Sequence, residues 1–179
     1  TAQSAAEVAA RVTALFRAAM ADFKAKSYPA AIEQFSRVIE SDPYHYQALV
    51  HRAIAWFQLG DYRQALADND RAIRINPEVD VAHHNRAEDK LMLKDYAGAL
   101  EDITIYLRKV NNRCAASYHM RGLVKMEMND LMGACQDWFT AAHLGHTEAR
   151  KYLKKHKKFT PGEPCFELGI RREATSRYL

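Results

Sequence analysis

The sequence repeats itself at a fixed interval of 34 residues. Tyr28, Tyr62 and Tyr96 recur at this interval, and an alanine follows each of them three residues later. A fourth copy starts one residue late, with Leu131 in the tyrosine position and Ala134 after it. A fixed period of this length is typical of stacked repeats, in which each unit buries its apolar face against its neighbours.

Each copy has the pattern of two antiparallel helices. The stretch Gly60 to Pro77, GDYRQALADNDRAIRINP, places a large residue at the start of the second helix and the small Ala65 one turn later. A small residue suits a close helix crossing, because a longer side chain would hold the two axes apart. Asp42-Pro43 and Asn76-Pro77 each end a helix, since proline disfavours the α conformation in the residue before it. The pattern predicts helical hairpins and an all-α chain.

On these residues the chain resembles the tetratricopeptide repeat family, whose unit is a helix A, a tight turn and a helix B. In the second repeat the residues that match the family's order and spacing are Leu49, Ala53, Trp56, Gly60, Tyr62, Ala65, Ala72 and Pro77. The third repeat departs most from the pattern, with His83, Lys90 and Tyr106 in place of an aromatic, an aromatic and an alanine, and Asn111 in place of the closing proline. The resemblance covers residues 12–145. It implies four repeats of antiparallel helix pairs, stacked in a right-handed superhelix with a concave groove.

The repeat register predicts where the helices begin and end. Ser4 is the expected N-cap of the first helix, because Glu7 lies three residues later at the spacing of a capping box. The predicted helices span residues 4–26, 28–40, 46–59, 62–75, 80–93, 96–109, 115–128 and 131–143, followed by a capping helix over residues 146–158 with Thr147 as its N-cap. We therefore predict a repeat domain over residues 1–158 and a C-terminal tail over residues 159–179.

Composition argues against several classes of function. The chain has no apolar run long enough to span a membrane, and its alanine-rich start lacks the basic region of a signal peptide, so we expect a cytoplasmic protein. The adjacent His83 and His84 point about 100° apart on a helix and cannot chelate one ion together. Neither the histidines nor the three cysteines have metal-site spacing, and no nucleophile or phosphate-binding motif occurs. We expect no metal, no cofactor and no enzymatic activity.

The resemblance assigns particular helix A positions to the concave groove. Carried onto this sequence, they predict a peptide-binding surface in which an asparagine grips the backbone of an extended segment while apolar side chains adapt to its side chains. The predicted groove residues are Phe16, Met20, Val50, His51, Ile54, His84, Asn85, Glu88, His119, Met120 and Leu123. Further positions on the same helices, Phe23, Phe57 and Leu91, suit either the groove or the core of the hairpins. The function implied is a protein interaction adaptor.

A second reading is a co-chaperone that holds the carboxylate terminus of a chaperone. That subclass uses lysine and asparagine in its first helix A, asparagine in its second, and lysine and arginine in its third. In the better of two frames these five positions hold Val50, Ile54, Asn85, Ala116 and Met120, so only the asparagine of the second helix A is present. The sequence therefore disfavours a carboxylate clamp.

Positive charge is concentrated at the C-terminal end. Residues 1–149 hold 17 Lys+Arg against 19 Asp+Glu, whereas residues 150–179 hold 9 against 3. The basic patch consists of Arg150, Lys151, Lys154, Lys155, Lys157 and Lys158. A solvated capping helix explains it best, since Tyr152 is the only interleaved aromatic, and the alternative is binding to nucleic acid or an anionic membrane.

The tail after the repeats carries more large apolar residues than a solvated terminus usually displays. Three readings stay open for residues 159–179: a segment that occupies the groove of its own chain or of a neighbouring copy, a disordered terminus, and a segment that folds with a partner.

An arginine also recurs in each of the last three A helices. Arg52, Arg86 and Arg121 are expected to pair with the recurring Asp68, Asp102 and Asp137 of the B helices and form a structural ladder.

Overall fold

The computed structural model describes residues 4–155, in which all regular structure is α-helical. The described chain forms nine helices and contains no strand, which confirms the predicted all-α class. In chain order they are α1 (Ala5–Lys24), α2 (Tyr28–Ser41), α3 (Tyr46–Gln58), α4 (Tyr62–Ile75), α5 (Asp80–Met92), α6 (Tyr96–Lys109), α7 (Ala115–Glu127), α8 (Leu131–His143) and α9 (Thr147–Lys155). The tail over residues 159–179 lies outside the described residues.

The helices group into two compact units. Unit 1 ends at Leu93 and contains the antiparallel pairs α1–α2 and α3–α4, with α5 packed against α4 and α3. Unit 2 begins at Lys94, and in it α6 packs against α7, α7 pairs with α8, and α9 packs on α8. The alternation of helix A and helix B expected from the repeat is present inside each unit. The single repeat domain over residues 1–158 stays a prediction.

Short polar side chains fix where the helices begin. The predicted capping box at α1 is present, since the backbone N–H of Ser4 donates to Glu7 Oε2 at 2.8 Å and Ser4 Oγ accepts from the backbone N–H of Glu7 at 3.2 Å. Asp61, Asp95 and Asp130 cap α4, α6 and α8, each by accepting from the backbone N–H three residues later. These caps set the repeated turn between helix A and helix B.

The predicted cap of α9 is wrong by one residue. Thr147 is the first residue of the helix, and His146 precedes it, with its Nδ1 accepting from the backbone N–H of Ala149 at 3.2 Å. The imidazole nitrogen of His146 therefore caps the helix in place of the expected hydroxyl of Thr147.

The turn from helix A to helix B places one residue in the left-handed region. Gly60 adopts φ 83° there, while Lys26, Lys94 and Asn129 adopt φ 59°, 64° and 63° in the other repeats. Glycine accepts this conformation without a steric penalty, whereas lysine is strained in it. The backbone of this turn is therefore more strained in the first and third repeats, which have lysine there, than in the second, which has glycine.

We expect Lys26→Gly to raise the free energy of unfolding by up to about 1 kcal/mol, because it relieves this strain. Gly60→Ala should lower it by a similar amount. A β-carbon at Gly60 would meet no atom within 4 Å, so the loss would come from the backbone conformation alone. Urea unfolding of both variants beside the parent chain measures the two effects, and shifts of the same sign would contradict this account of the turn.

The helix crossings are close, as the repeat pattern predicts. Ala31, Ala65, Ala99 and Ala134 are fully buried in their respective units. In unit 2, Gly122 of α7 allows an even closer approach, since a β-carbon there would lie 2.6 Å from Cδ1 of the buried Trp138. Small residues at these points set the distance between helices and hence the position of every helix A side chain.

Candidate functional site

Three A helices lie side by side in unit 1. Helix α3 contacts both α1 and α5, and we call the surface formed by these three helices the A face of unit 1. Most of the groove residues predicted in this unit are partly exposed on these helices: Phe16, Met20, His51, Ile54, His84, Asn85 and Glu88.

Two of the predicted groove residues are buried instead. Val50 is 5% exposed and belongs to the main hydrophobic cluster of unit 1, and Met120 of unit 2 is 6% exposed. Both side chains stabilise the packing of their unit and offer little surface to a ligand. Sequence periodicity cannot tell these buried positions from groove positions, because the groove-facing and core-facing sides of helix A lie next to each other around the helix.

An aromatic cluster forms one end of the A face. The imidazole of His51 stacks on Phe35 with a centroid distance of 5.8 Å and an interplanar angle of 12°, and Phe23 meets it edge-on at 5.4 Å. Phe16 contacts the same cluster, with its ring 5.8 Å from that of Phe35. Burial lowers the pKa of His51, which favours a neutral ring at neutral pH. His51 therefore works largely as an aromatic packing residue.

A pocket of about 120 Å³ opens in unit 1 where α3, α4 and α5 meet. The Glu88 side chain at its rim is 41% exposed, so solvent reaches the pocket. Its lining residues are Ala53, Ile54, Phe57, Gln58, Asn69, Asn85, Glu88 and Asp89. Ile54, Asn85 and Glu88 were predicted from the sequence, whereas Asn69 and Asp89 were missed.

The floor of the pocket holds a buried carboxyl group. Asp89 is 1% exposed and accepts a hydrogen bond from Asn69 Nδ2 at 2.8 Å. Burial raises the pKa of Asp89 to about 7, opposed by the Asn69 hydrogen bond and reinforced by the negative charges of Glu88, Asp70 and Asp68. Burial also raises the pKa of Glu88. This part of unit 1 thus concentrates carboxyl groups that are poorly solvated.

Two amide groups at the pocket have unmade hydrogen bonds. Asn69 is 1% exposed, and its Oδ1 has no hydrogen-bond partner among the described residues. The Nδ2 of Asn85 is likewise buried without a partner in that part of the chain. An unpaired buried polar group costs free energy, and a bound ligand that supplies the missing donor or acceptor recovers it.

Arginines neutralise the carboxylates that lie outside the pocket lining. Arg52 donates to both oxygens of Asp68, at 2.7 and 2.8 Å, and its third contact is Ser36 Oγ of the preceding repeat at 2.8 Å. Arg86 donates to Asp70 at 2.8 Å. The predicted Arg52–Asp68 rung of the ladder is confirmed, and Arg121–Asp137 is its counterpart in unit 2.

The helix A residues of unit 2 are partly covered by α9. The ring of His119 stacks on His146 at 4.5 Å and meets Tyr152 edge-on at 5.3 Å. Burial, followed by the charge of His146, lowers the pKa of His119. Leu123 is half-buried against the Trp138 cluster, which Tyr152 also joins. The capping helix therefore occupies surface that sequence reasoning gave to the groove in this unit.

The basic patch is only partly within the described residues. Arg150 donates through Nε and a terminal guanidinium nitrogen to the carbonyl of Ala142, each at 3.3 Å, and so binds the C-terminal end of α8. The exposed Lys151 pairs with Glu148 at 2.7 Å. Lys154 and Lys155 lie on the last turn of α9, and Lys157 and Lys158 lie outside the described residues.

Neither a metal-binding cluster nor a membrane-spanning helix occurs among the described residues. Between residues 4 and 155, no group of three or more His, Cys, Asp or Glu is placed to hold a metal ion. Over the same stretch, none of the helices combines the length and the apolarity that a bilayer crossing requires.

Comparison with known proteins supports the resemblance over part of the chain. Residues 16–80 match the profile of the tetratricopeptide repeat family. This match confirms the resemblance over residues 16–80, and the helix pairs of the described chain agree with it. No curated protein sequence matches it.

Solved structures with the same fold share little sequence with the chain. MamA (41-end) from Desulfovibrio magneticus RS-1 is 17% identical over 80% of this chain and 92% of its own, with a TM-score of 0.72. The second TPR domain of human RPAP3, solved with an HSP70 peptide, is 20% identical over 66% of this chain and 98% of its own, with a TM-score of 0.63. YrrB, described as a TPR protein with an unusual peptide-binding site, is 14% identical over 80% and 74%, with a TM-score of 0.73. At these identities the likeness shows the fold alone.

Proposed function

We propose that this protein is a non-enzymatic adaptor that binds an extended segment of a partner protein on the A face of unit 1. The observation that carries the proposal is the pocket at α3, α4 and α5, where Asn85 Nδ2 and Asn69 Oδ1 have no hydrogen-bond partner within residues 4–155. A peptide backbone supplies carbonyl acceptors for the first group, and a donor-bearing side chain satisfies the second. That the second TPR domain of human RPAP3 is solved with a peptide supports this use of the fold.

Apolar side chains next to the pocket complete the proposed surface. Ile54 and Phe57 line the pocket itself, and Phe16 and Met20 continue the A face onto α1. A few fixed polar groups among apolar walls suit a ligand whose register is set by hydrogen bonds and whose affinity comes from burial. His84 flanks the polar part, with its Nε2 4.0 Å from Glu88 Oε1.

The charge of the pocket argues against capture of a chaperone's terminal carboxylate. Glu88 and Asp89 would repel a carboxylate at the point where Asn85 offers its amide. The co-chaperone alternative therefore gains no support from this site. For the nucleic-acid or membrane alternative, the two basic residues whose contacts are described, Arg150 and Lys151, bind Ala142 and Glu148 of unit 2 and add no support.

We expect His84→Ala with Asn85→Ala to weaken partner capture at least about tenfold, because the double variant loses the buried Asn85 amide that would donate to the peptide backbone. Affinity capture from a cell extract, followed by mass spectrometry, would identify the proteins that the parent chain retains and the double variant loses. Circular dichroism should remain unchanged. Undiminished capture by a folded double variant would remove the A face of unit 1 from the proposal.

The matched control is Glu33→Ala on α2. Its side chain is 64% exposed and pairs with Arg37 in the same helix, so its loss should change neither fold nor capture.

A further inference from the structure

We infer that the pocket of unit 1 is a specificity pocket for one arginine side chain of the bound segment. The inference rests on the proposed function and adds to it the chemistry of the partner: a donor-rich, positively charged, planar group. It is carried by the buried Oδ1 of Asn69, which has no hydrogen-bond partner in the described part of the chain, and by the two carboxyl groups, Glu88 and Asp89, that share the pocket with it.

The acceptors of the pocket converge from two helices. Asn69 comes from α4, and Asp89 and Glu88 come from α5. Asn69 Nδ2 already donates to Asp89 Oδ2, so the amide is held in place while its Oδ1 has no partner among the residues that the structure describes. A guanidinium carries five N–H donors and no acceptor, which matches a site with several acceptors close together.

The remaining walls favour arginine over lysine. Phe57 lines the pocket and offers an aromatic ring, on which a planar guanidinium can stack. The volume of about 120 Å³ holds several water molecules and is large enough for a guanidinium with part of its stem. An ammonium group is smaller and more strongly hydrated, so it would leave acceptors unsatisfied.

The charges around the pocket leave it negative. Asp68 is paired with Arg52 and Asp70 with Arg86, so these arginines offset much of the negative charge that the two carboxylates add near the pocket. On α5, His84 faces Glu88, and burial lowers the pKa of that imidazole, which favours its neutral form. The α3 residues of the pocket, Ala53, Ile54, Phe57 and Gln58, carry no charge. Glu88 and Asp89 thus determine the charge that an entering group meets.

The test uses the full chain and small probes that carry only the side chain in question. N-acetyl-arginine N-methylamide should shift the side-chain amide NMR signals of Asn69 and Asn85 at millimolar concentration. N-acetyl-citrulline N-methylamide, the neutral isostere, should bind at least about tenfold more weakly, as should the matching lysine derivative. Equal binding of the arginine and citrulline probes would overturn the inference, and equal binding of lysine would overturn the assignment to a guanidinium.

Variants then locate the binding. Asp89→Asn should weaken the arginine probe about tenfold, and the parent affinity should rise with pH through neutrality, because Asp89 ionises there, while the variant's should not. Asp61→Asn is the charge-matched control: Asp61 is exposed, caps α4 in the same unit, and is replaced by an equally good cap, so its effect should stay below about twofold. Equal losses in both variants would mean general charge attraction and would overturn the pocket.

The outcome separates this inference from the proposed function. In one outcome, partner capture still depends on His84 and Asn85 while the arginine probe leaves the NMR signals of the pocket unchanged. That result would support the adaptor function and contradict the arginine pocket. The tail supplies one more check, because it carries Arg171, Arg172 and Arg177. Changing all three to glutamine should leave the probe's affinity equal or higher, and a loss of affinity would place the binding outside the pocket.

Discussion

Asp137→Ala is expected to lower the free energy of unfolding by about 3 kcal/mol. The Asp137 side chain is 4% exposed and accepts two hydrogen bonds from Arg121, at 2.6 and 2.8 Å. It also forms an ion pair with Lys125, whose Nζ lies 2.8 Å from Asp137 Oδ2. The hydrogen bond to Asp137 raises the pKa of Arg121 above its ordinary value. That ordinary value is itself so high that the guanidinium stays charged when its partner is gone. Removing the carboxylate would leave two poorly solvated cations side by side between α7 and α8.

Urea unfolding of the parent and the variant, followed by circular dichroism, measures this loss. The double change of Arg121→Met with Asp137→Leu should recover much of it, since an apolar pair leaves no uncompensated charge. As a control, Arg37→Ala removes the exposed pair with Glu33 and should change stability by less than about 1 kcal/mol. If Asp137→Ala lowered the free energy of unfolding no more than Arg37→Ala does, the Arg121–Asp137 pair would contribute no more to stability than an exposed surface ion pair.

The helices could be predicted because local chemistry and repeat spacing point to the same boundaries. The expected helix over residues 62–75 is α4 as observed, and α6 also matches its predicted span. The turn after α6 was harder to predict, because the closing proline is absent. Asn111 and Asn112 both adopt a left-handed conformation there, with φ 52° and 56°. Asparagine tolerates this conformation better than most residues, so two of them can form a turn without proline.

The candidate site could be predicted only in part, because a site depends on which helices meet. Asn85 and Glu88 followed from the helix A register, since one position in the repeat predicts one face. Asn69 and Asp89 did not follow from it: Asn69 lies on a B helix, and both residues point into packed structure where the pattern predicts apolar side chains. Their polarity at buried positions was the available signal, because a buried amide and carboxyl group require partners.

Asp89→Asn should stabilise the protein at alkaline pH, by about 2 to 4 kcal/mol at about pH 8. Burial raises the pKa of Asp89 from an ordinary 3.8 to about 7 in the folded chain, so folding favours the protonated form. The stability that this carboxyl group contributes is complete below the unfolded pKa and is lost as pH rises through the folded pKa. Asparagine does not titrate, and its side-chain oxygen can still accept the hydrogen bond from Asn69 Nδ2.

The gain should therefore depend on pH in a defined way. Urea unfolding at about pH 5 and about pH 8 should show a smaller difference between parent and Asp89→Asn at the lower pH and a larger one at the higher, because the parent loses stability between these values. Asp61→Asn, on the exposed cap of α4, should shift stability equally at both. A stability gain of Asp89→Asn that did not grow with pH would mean that folding does not disfavour the charged form of Asp89. If the gain appears together with weaker binding of the arginine probe, the buried carboxyl group is kept at the expense of stability because the pocket needs its charge.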